Sequence, residues 1–210
     1  MTTLEDYIAD HIDPEPEYLT RLYRQTHLRH LYPRMCSGHV QGRLLRMLTS
    51  MIAPSHILEL GTYTGYSTLC MAEGMPPGAT IDTIEIDDEM EDELNATFSA
   101  HPRGNDIRLH IGDATMVLPH IEGRWDMVFI DANKRLYNQY LDMVIDRVPA
   151  GGFILADNTL WDNKILDSDS LHDAQSRAIA EFNDRVARDK RLSKVILPVR
   201  DGLTIMQRLE

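Results

Sequence analysis

The chain has 210 residues, 43% of them hydrophobic, enough to bury the core of one medium-sized domain. Its formal net charge of −12 argues against general nucleic-acid binding, because phosphates would repel it. Two cysteines are too few for a disulfide framework, the acidic start resembles no secretion signal, and no apolar run approaches the roughly 20 residues that cross a membrane. We therefore expect a cytoplasmic protein with no membrane partner.

Helices are predicted before the first strand. Thr3 can cap a short helix that ends before Pro14, residues 17–31 show helical spacing, and residues 38–52 form a third helix. We interpret this extension, residues 1–54, as a lid or an oligomer surface. Its arginines are interpreted as a solvated helix face, with phosphate contact as the alternative; they are Arg21, Arg24, Arg29, Arg34, Arg43 and Arg46.

From Ile57 onwards the pattern alternates between strands and helices. Strands are predicted at 56–60, 80–86, 106–111, 125–130, 152–156, 192–197 and 203–209, and helices at 65–74, 88–100, 115–120, 134–147 and 171–189. This alternation predicts an α/β fold with a mainly parallel sheet covered on both faces. The turn at residues 200–202 indicates a closing hairpin, so one terminal strand should be antiparallel. We expect one domain, residues 1–210, whose sheet core spans 55–210.

Residues 56–67 predict a buried strand, a glycine turn and the start of a helix. Gly61 and Gly65 would let the backbone approach a ligand closely, and the helix N-terminus offers amide groups to a carboxylate. Glu85 lies near the end of the next strand, where a carboxylate can bind ribose hydroxyls. These glycines do not complete the pattern G-x-G-x-x-G, which argues against a nicotinamide cofactor.

Polar residues follow two later predicted strands. Asp131 ends one strand, and Asp157 with Asn158 ends another. If the strands are neighbours, about 4.8 Å apart, two carboxylates and an amide meet where open α/β sheets bind ligands. Oxygen donors of this kind suit Mg²⁺. On spacing alone a structural alternative stays open, in which Asp131 caps a helix and Asp157 with Asn158 forms a turn. Lys134 could be a base, a charge-stabilising group or an ordinary surface lysine.

A set of short blocks adds to these patterns. They are Leu58-Glu-Leu-Gly-Thr-Tyr-Thr-Gly-Tyr-Ser67, Thr83-Ile-Glu-Ile86, Gly112-Asp-Ala114, Phe129-Ile-Asp-Ala-Asn-Lys134, Tyr137-Asn-Gln-Tyr140, Gly151-Gly152, Asp157-Asn-Thr-Leu-Trp161 and Leu197-Pro-Val-Arg-Asp-Gly-Leu203. In combination they resemble the cation-dependent class I O-methyltransferases that use S-adenosylmethionine, the family of catechol and caffeoyl-CoA O-methyltransferases. The resemblance runs from about Met35 to the C-terminus. It implies a Rossmann-like seven-stranded sheet in the order 3-2-1-4-5-7-6, with the last strand antiparallel.

The same resemblance implies a role for each matching residue. S-adenosylmethionine would be bound by Ser37, Glu59, Gly61, Thr62, Tyr66, Ser67, Glu85, Asp113, Ala114 and Asp131. Asp131, Asp157 and Asn158 would ligate Mg²⁺, or Mn²⁺ or Ca²⁺ in its place. Lys134 and Asp131 would be catalytic, and Lys134 would help to deprotonate the acceptor hydroxyl. Trp161 and Asp162 would line the acceptor pocket, and a homodimer is expected from the family.

Three positions depart from many relatives. Asn163 and Arg200 stand where glycine is usual, and Asn133 stands where aspartate is usual. Asn163 and Arg200 could reshape loops near the acceptor, so they bear on substrate identity.

The function hypothesis is methyl transfer to a hydroxyl of an aromatic vicinal diol. One alternative acceptor is a hydroxylated uridine in transfer RNA, with the arginines of residues 21–46 on phosphates. Another alternative, of a different class, is a non-catalytic cofactor-binding or regulatory protein. The joint presence of Asp131, Lys134, Asp157 and Asn158 argues against that class, because a mere binder needs none of them.

Overall fold

A seven-stranded sheet lies at the centre of the computed structural model, which describes residues 3–166 and 172–210. The strands are β1 (His56–Leu60), β2 (Thr80–Glu85), β3 (Ile107–Ile111), β4 (Met127–Ile130), β5 (Phe153–Asp157), β6 (Leu192–Leu197) and β7 (Leu203–Arg208). Their order is β3-β2-β1-β4-β5-β7-β6. Strand β7 is antiparallel to both of its neighbours, and the other adjacent pairs are parallel. The predicted topology is confirmed, including the closing hairpin.

Helices cover both faces of this sheet. They are α1 (Leu4–Asp10), α2 (Glu17–Arg29), α3 (Gly38–Ile52), α4 (Tyr66–Gly74), α5 (Glu91–Ser99), α6 (Ala114–Val117), α7 (Tyr137–Val144) and α8 (Ala174–Arg188). One face of β1 presents Ile57 to a core cluster that includes Leu45 and Met71. The other face presents Leu58 to a cluster that includes Leu141 and Phe182. Ile57, Leu58 and Leu60 are fully buried because both faces of the strand are covered.

Several predicted helices are shorter than expected and pass into 3-10 turns. The helix predicted over 134–147 is α7 flanked by the 3-10 turns Lys134–Leu136 and Ile145–Arg147. Residues 88–90 and 118–120 also form 3-10 turns, next to α5 and α6. Apolar spacing alone does not separate these two helix types, since both place apolar side chains every three to four residues.

Other helices and strands begin or end at residues that differ from the predicted ones, because of caps and local contacts. Helix α2 stops at Arg29, two residues before the predicted end. Helix α8 begins at Ala174 because the Asp173 side chain accepts a hydrogen bond from the Ser176 amide. Part of the predicted start of this helix, at Leu171, lies outside the described residues. Strand β4 begins two residues after the predicted start, beyond Trp125, whose ring packs against the Arg147 guanidinium 3.9 Å away.

The N-terminal helices pack on the sheet domain through α4. Glu73 on α4 accepts hydrogen bonds from the Tyr18 hydroxyl and, at 2.6 Å, from the Arg43 guanidinium. The Arg43 side chain is only 11% exposed, so the solvated face predicted for these arginines was wrong at this position. Arg21, by contrast, lies on the surface in a helical pair with Glu17. No helix in the described part of the chain is long and apolar enough to span a membrane.

Candidate active site

The turn between β1 and α4 requires glycine at two positions. Gly61 has φ +96°, and a Cβ there would overlap the backbone carbonyl of Asp131 on the neighbouring strand. Gly65 has φ +83°, and a Cβ there would lie 2.7 Å from the Phe98 ring. Both values fall in the left-handed region, which glycine adopts without steric cost. The turn after β1 can therefore lie close to the backbone at the end of β4 before α4 begins.

A buried carboxylate fixes this turn from beneath. Glu59 is fully buried, and its oxygens accept hydrogen bonds from the hydroxyls of Ser67 at 2.5 Å, Thr68 at 2.5 Å and Thr83 at 2.7 Å. Burial raises the pKa of Glu59 to about 7, and the three hydroxyls partly oppose that shift. Glu59 thus joins β1 to the first turn of α4 and to β2.

Glu85 lies at the end of β2, on the other side of the same turn. Its carboxylate accepts hydrogen bonds from the backbone amides of Tyr63 at 2.6 Å and Asp87 at 3.0 Å. Only 7% of the residue is exposed. These two amides hold the carboxylate in one orientation at the wall of the cavity described below.

The ends of β4 and β5 bring the second group of polar residues together. Ile130 pairs with Ala156, so Asp131 and Asp157 follow at adjacent positions of the sheet edge. The Lys134 ammonium lies 2.6 Å from Asp131 Oδ1 and 2.9 Å from the Tyr137 hydroxyl. That hydroxyl donates in turn to the Asp157 backbone carbonyl, 2.9 Å away.

Asp157 accepts hydrogen bonds from two uncharged donors. Its Oδ2 accepts from Gln41 Nε2 at 2.7 Å, and its Oδ1 accepts from the Asn158 amide at 2.8 Å. The residue is 1% exposed, and burial, followed by the charge of Asp131, raises the pKa of its carboxyl. Two carboxylates therefore share this edge with one ammonium.

This donor set fits a divalent cation. Carboxylate and amide oxygens are the ligands that Mg²⁺ prefers, and a cation would offset the excess negative charge beside Lys134. Across the described residues, no group of three His, Cys, Asp or Glu side chains is placed to hold a metal. Protein ligation would therefore depend on Asp131, Asp157 and the amide of Asn158, with water or substrate completing the shell.

One cavity of about 810 Å³ connects the two groups of residues. Its wall contains most of the residues predicted from sequence: Ser37, Gly61, Thr62, Tyr66, Ser67, Glu85, Ala114, Asp131, Lys134, Asn158 and Trp161. The glycine turn and the paired strand ends thus face the same space. Their assigned roles in binding and catalysis stay predictions.

Four predicted residues do not line this cavity: Glu59, Asp113, Asp157 and Asp162. Glu59 and Asp157 lie behind its wall, in the hydrogen bonds described above. Asp113 caps α6, and its Oδ1 accepts from the Thr115 amide at 2.8 Å and hydroxyl at 2.7 Å. Asp162 is exposed, and its backbone amide donates to the Asp201 carboxylate.

The sequence interpretation did not foresee the hydrogen bonds that link Asp157 to Gln41 and Gln41 to Arg200. Gln41 on α3 binds Asp157, and Arg200 in the β6–β7 turn binds Gln41. Arg200 was noted as a departure from the relatives, without a contact. Sequence gave no signal for Gln41, which lies 116 residues from its partner. Tyr137 belongs to a quoted block, but its position between Lys134 and two strand ends was not predicted.

A Rossmann-like sheet with a glycine turn after β1 and an acid at the end of β2 defines an α/β enzyme of the nucleotide-cofactor type. A family model described as O-methyltransferase matches residues 9–209. The caffeoyl-CoA O-methyltransferase of Petroselinum crispum is 32% identical over 209 residues, which cover 93% of this chain and 85% of that protein. The chain belongs to this O-methyltransferase family and is an enzyme, as the sequence blocks predicted.

Solved structures agree with this assignment. The SAH-bound methyltransferase of Podospora anserina matches with a TM-score of 0.90 and 27% identity, over 99% of this chain and 94% of that one. An O-methyltransferase of Streptomyces achromogenes, solved with SAM, has a TM-score of 0.89 at 24% identity, over 97% of this chain and 95% of its own. The second comparison shows the shared fold.

Proposed function

We propose that this O-methyltransferase moves the methyl group of S-adenosylmethionine to a hydroxyl of an aromatic vicinal diol, with a divalent cation at Asp131, Asp157 and Asn158. One observation carries the proposal: a single cavity is walled by the glycine turn and Glu85, and also by Asp131, Lys134 and Asn158. Cofactor and acceptor would therefore meet at the ends of β1, β4 and β5.

The cofactor assignment follows from the shape and chemistry of the glycine turn and Glu85. The positive-φ turn at Gly61 and Gly65 lets the backbone approach the methionine part of the molecule. Glu85, held by two amides, offers its carboxylate to ribose hydroxyls. The relative from Podospora anserina was solved with SAH, the product of such a transfer.

The polar residues at the ends of β4 and β5 suit activation of a phenol. A phenol with a pKa near 10 is a weak nucleophile at neutral pH. A bound divalent cation would lower that pKa and fix the oxygen of a chelating diol. Mg²⁺ is our first choice for this cation, with Mn²⁺ and Ca²⁺ as candidates of the same oxygen-binding kind.

Lys134 is placed to take the hydroxyl proton when it is neutral. The resulting ammonium would be held by Asp131 at 2.6 Å and by the Tyr137 hydroxyl at 2.9 Å. The deprotonated oxygen then forms a bond to the methyl carbon while the carbon–sulfur bond breaks, and its electron pair goes to sulfur. Holding the two reactants in line can contribute up to ~7–11 kcal/mol of the rate gain.

The test is methyl transfer from S-adenosylmethionine to a simple catechol, measured with and without EDTA. We expect turnover that EDTA abolishes and that added Mg²⁺ restores. Asp131→Ala should lose turnover while it keeps most of its affinity for SAH. Turnover that survives both EDTA and Asp131→Ala would remove the cation from the mechanism.

A further inference from the structure

Arg200 ties the closing hairpin to the N-terminal extension. Its Nη1 donates to the Ser37 carbonyl at 2.5 Å and to Gln41 Oε1 at 3.2 Å, and its Nη2 donates to the Arg34 carbonyl at 3.0 Å. The backbone of Arg200 has φ +49°, a conformation that glycine adopts more readily. An arginine thus stands at a glycine-like position, and its guanidinium donates these three hydrogen bonds.

These contacts fix the orientation of the Gln41 amide. Gln41 is 1% exposed and lies between Arg200 and Asp157. A guanidinium only donates hydrogen bonds, and a carboxylate only accepts them. The amide therefore has one satisfied orientation, with its oxygen towards Arg200 and its nitrogen towards Asp157 Oδ2.

The intervening amide also separates the Arg200 guanidinium from the Asp157 carboxylate. At the neighbouring strand end, Lys134 makes a direct ion pair with Asp131. A guanidinium on Asp157 would neutralise that carboxylate in the same way and oppose cation binding. Gln41 instead supplies a neutral donor, so the carboxylate is oriented without a guanidinium in direct contact.

We propose that Arg200 and Gln41 are positioning residues that hold the buried Asp157 carboxylate ready for a divalent cation. The inference rests on the cation-dependent reaction proposed above. Outer hydrogen-bond partners of metal ligands orient those ligands and affect metal affinity. Gln41 does not line the cavity and Arg200 does, so the effect that the two residues share should appear in cation binding itself.

The experiment measures Mn²⁺ binding to the folded protein by electron paramagnetic resonance, with SAH affinity measured in parallel by calorimetry. Gln41→Met keeps the length of the side chain and removes both hydrogen bonds. We expect Mn²⁺ affinity to fall about 10–100-fold, with SAH affinity retained. Arg200→Gly removes the guanidinium at a position where glycine relieves the backbone, and Mn²⁺ affinity should also fall. Gln139→Met, at an exposed position of α7, is the matched control.

Unchanged Mn²⁺ affinity in both variants would overturn the inference, as would equal losses of Mn²⁺ and SAH affinity, which indicate a purely structural role. If Gln41→Met does not fold, Arg200→Gly decides the question. A wild-type protein that binds no Mn²⁺ would contradict the proposed cation dependence itself. These results distinguish a failed positioning role from a failed function.

Discussion

Lys134 Nζ lies 2.6 Å from Asp131 Oδ1, and the lysine is 8% exposed. A lysine amine at this place can accept a proton from a hydroxyl in the adjoining cavity, because the carboxylate stabilises the ammonium that forms. The same ammonium faces the carboxylate that we assign to a cation. The proposed base, Lys134, and the proposed cation site therefore share the Asp131 carboxylate.

Lys134→Met should lower kcat about 10²–10⁴-fold, because no base then takes the proton of the substrate hydroxyl. SAH affinity should be retained. Mn²⁺ affinity should be equal or higher, since the ammonium no longer opposes a cation at Asp131. Steady-state kinetics measures the change in kcat, and Mn²⁺ titration measures the change in cation affinity. Lys190→Met, at an exposed position, is the control, and a variant with wild-type kcat would exclude Lys134 as the base.

Tyr137→Phe should destabilise the fold as well as slow the reaction. The buried hydroxyl contacts the backbone carbonyls of Ile130 at 3.2 Å and Asp157 at 2.9 Å, and it accepts from Lys134. Leaving such groups unsatisfied costs about 1–3 kcal/mol of unfolding free energy. Urea unfolding measures this change, with Tyr32→Phe at an exposed position as the control. Equal stability of the two variants would contradict the role given to the hydroxyl.

Sequence was sufficient for those parts of the site that depend on local pattern. Gly61 directly follows β1, Gly65 directly precedes α4, and Asp131 directly follows an apolar run. Because parallel strands end at one edge, strand order then placed Asp131 and Asp157 together. Periodicity, turn residues and the quoted blocks thus predicted the sheet and most of the cavity wall.

Contacts between distant elements could not be predicted in this way. Arg200 reaches Gln41 across 159 residues of sequence, and the contact depends on how α3 docks against the closing hairpin. Glu59 was assigned to the cofactor by resemblance, and its hydrogen bond with the Thr83 hydroxyl, 24 residues away, depends on the pairing of β1 with β2. Side-chain hydrogen bonds of this kind follow from packing, which a hydrophobic pattern does not specify.

Glu59 should give the stability of the protein a distinct dependence on pH. Its folded pKa of about 7 lies above the ordinary value of 4.5, so the native state binds the proton more tightly. The stability this supplies is complete below pH 4.5 and is lost as pH rises through about 7. Over this window its slope is at most about 1.4 kcal/mol per pH unit.

Urea unfolding at several pH values, compared with Glu59→Gln, isolates this contribution from that of Asp157. We expect the free energy of unfolding of the wild type to fall more steeply between pH 5 and pH 7 than that of the variant. Parallel curves for the two proteins would contradict a raised pKa at Glu59.

Gly61→Ala should disrupt the site far more than the same change at Gly78. Both glycines have positive φ, +96° and +83°, so both variants lose about 1–2 kcal/mol of unfolding free energy through backbone conformation. At Gly78 nothing lies within 4 Å of an added Cβ, whereas at Gly61 the Cβ would overlap the Asp131 carbonyl. The β1–β4 edge must then separate, and both unfolding free energy and SAH affinity should fall well beyond the Gly78→Ala values. Similar SAH affinities in the two variants would show that close approach of these strands is not what shapes the cofactor site.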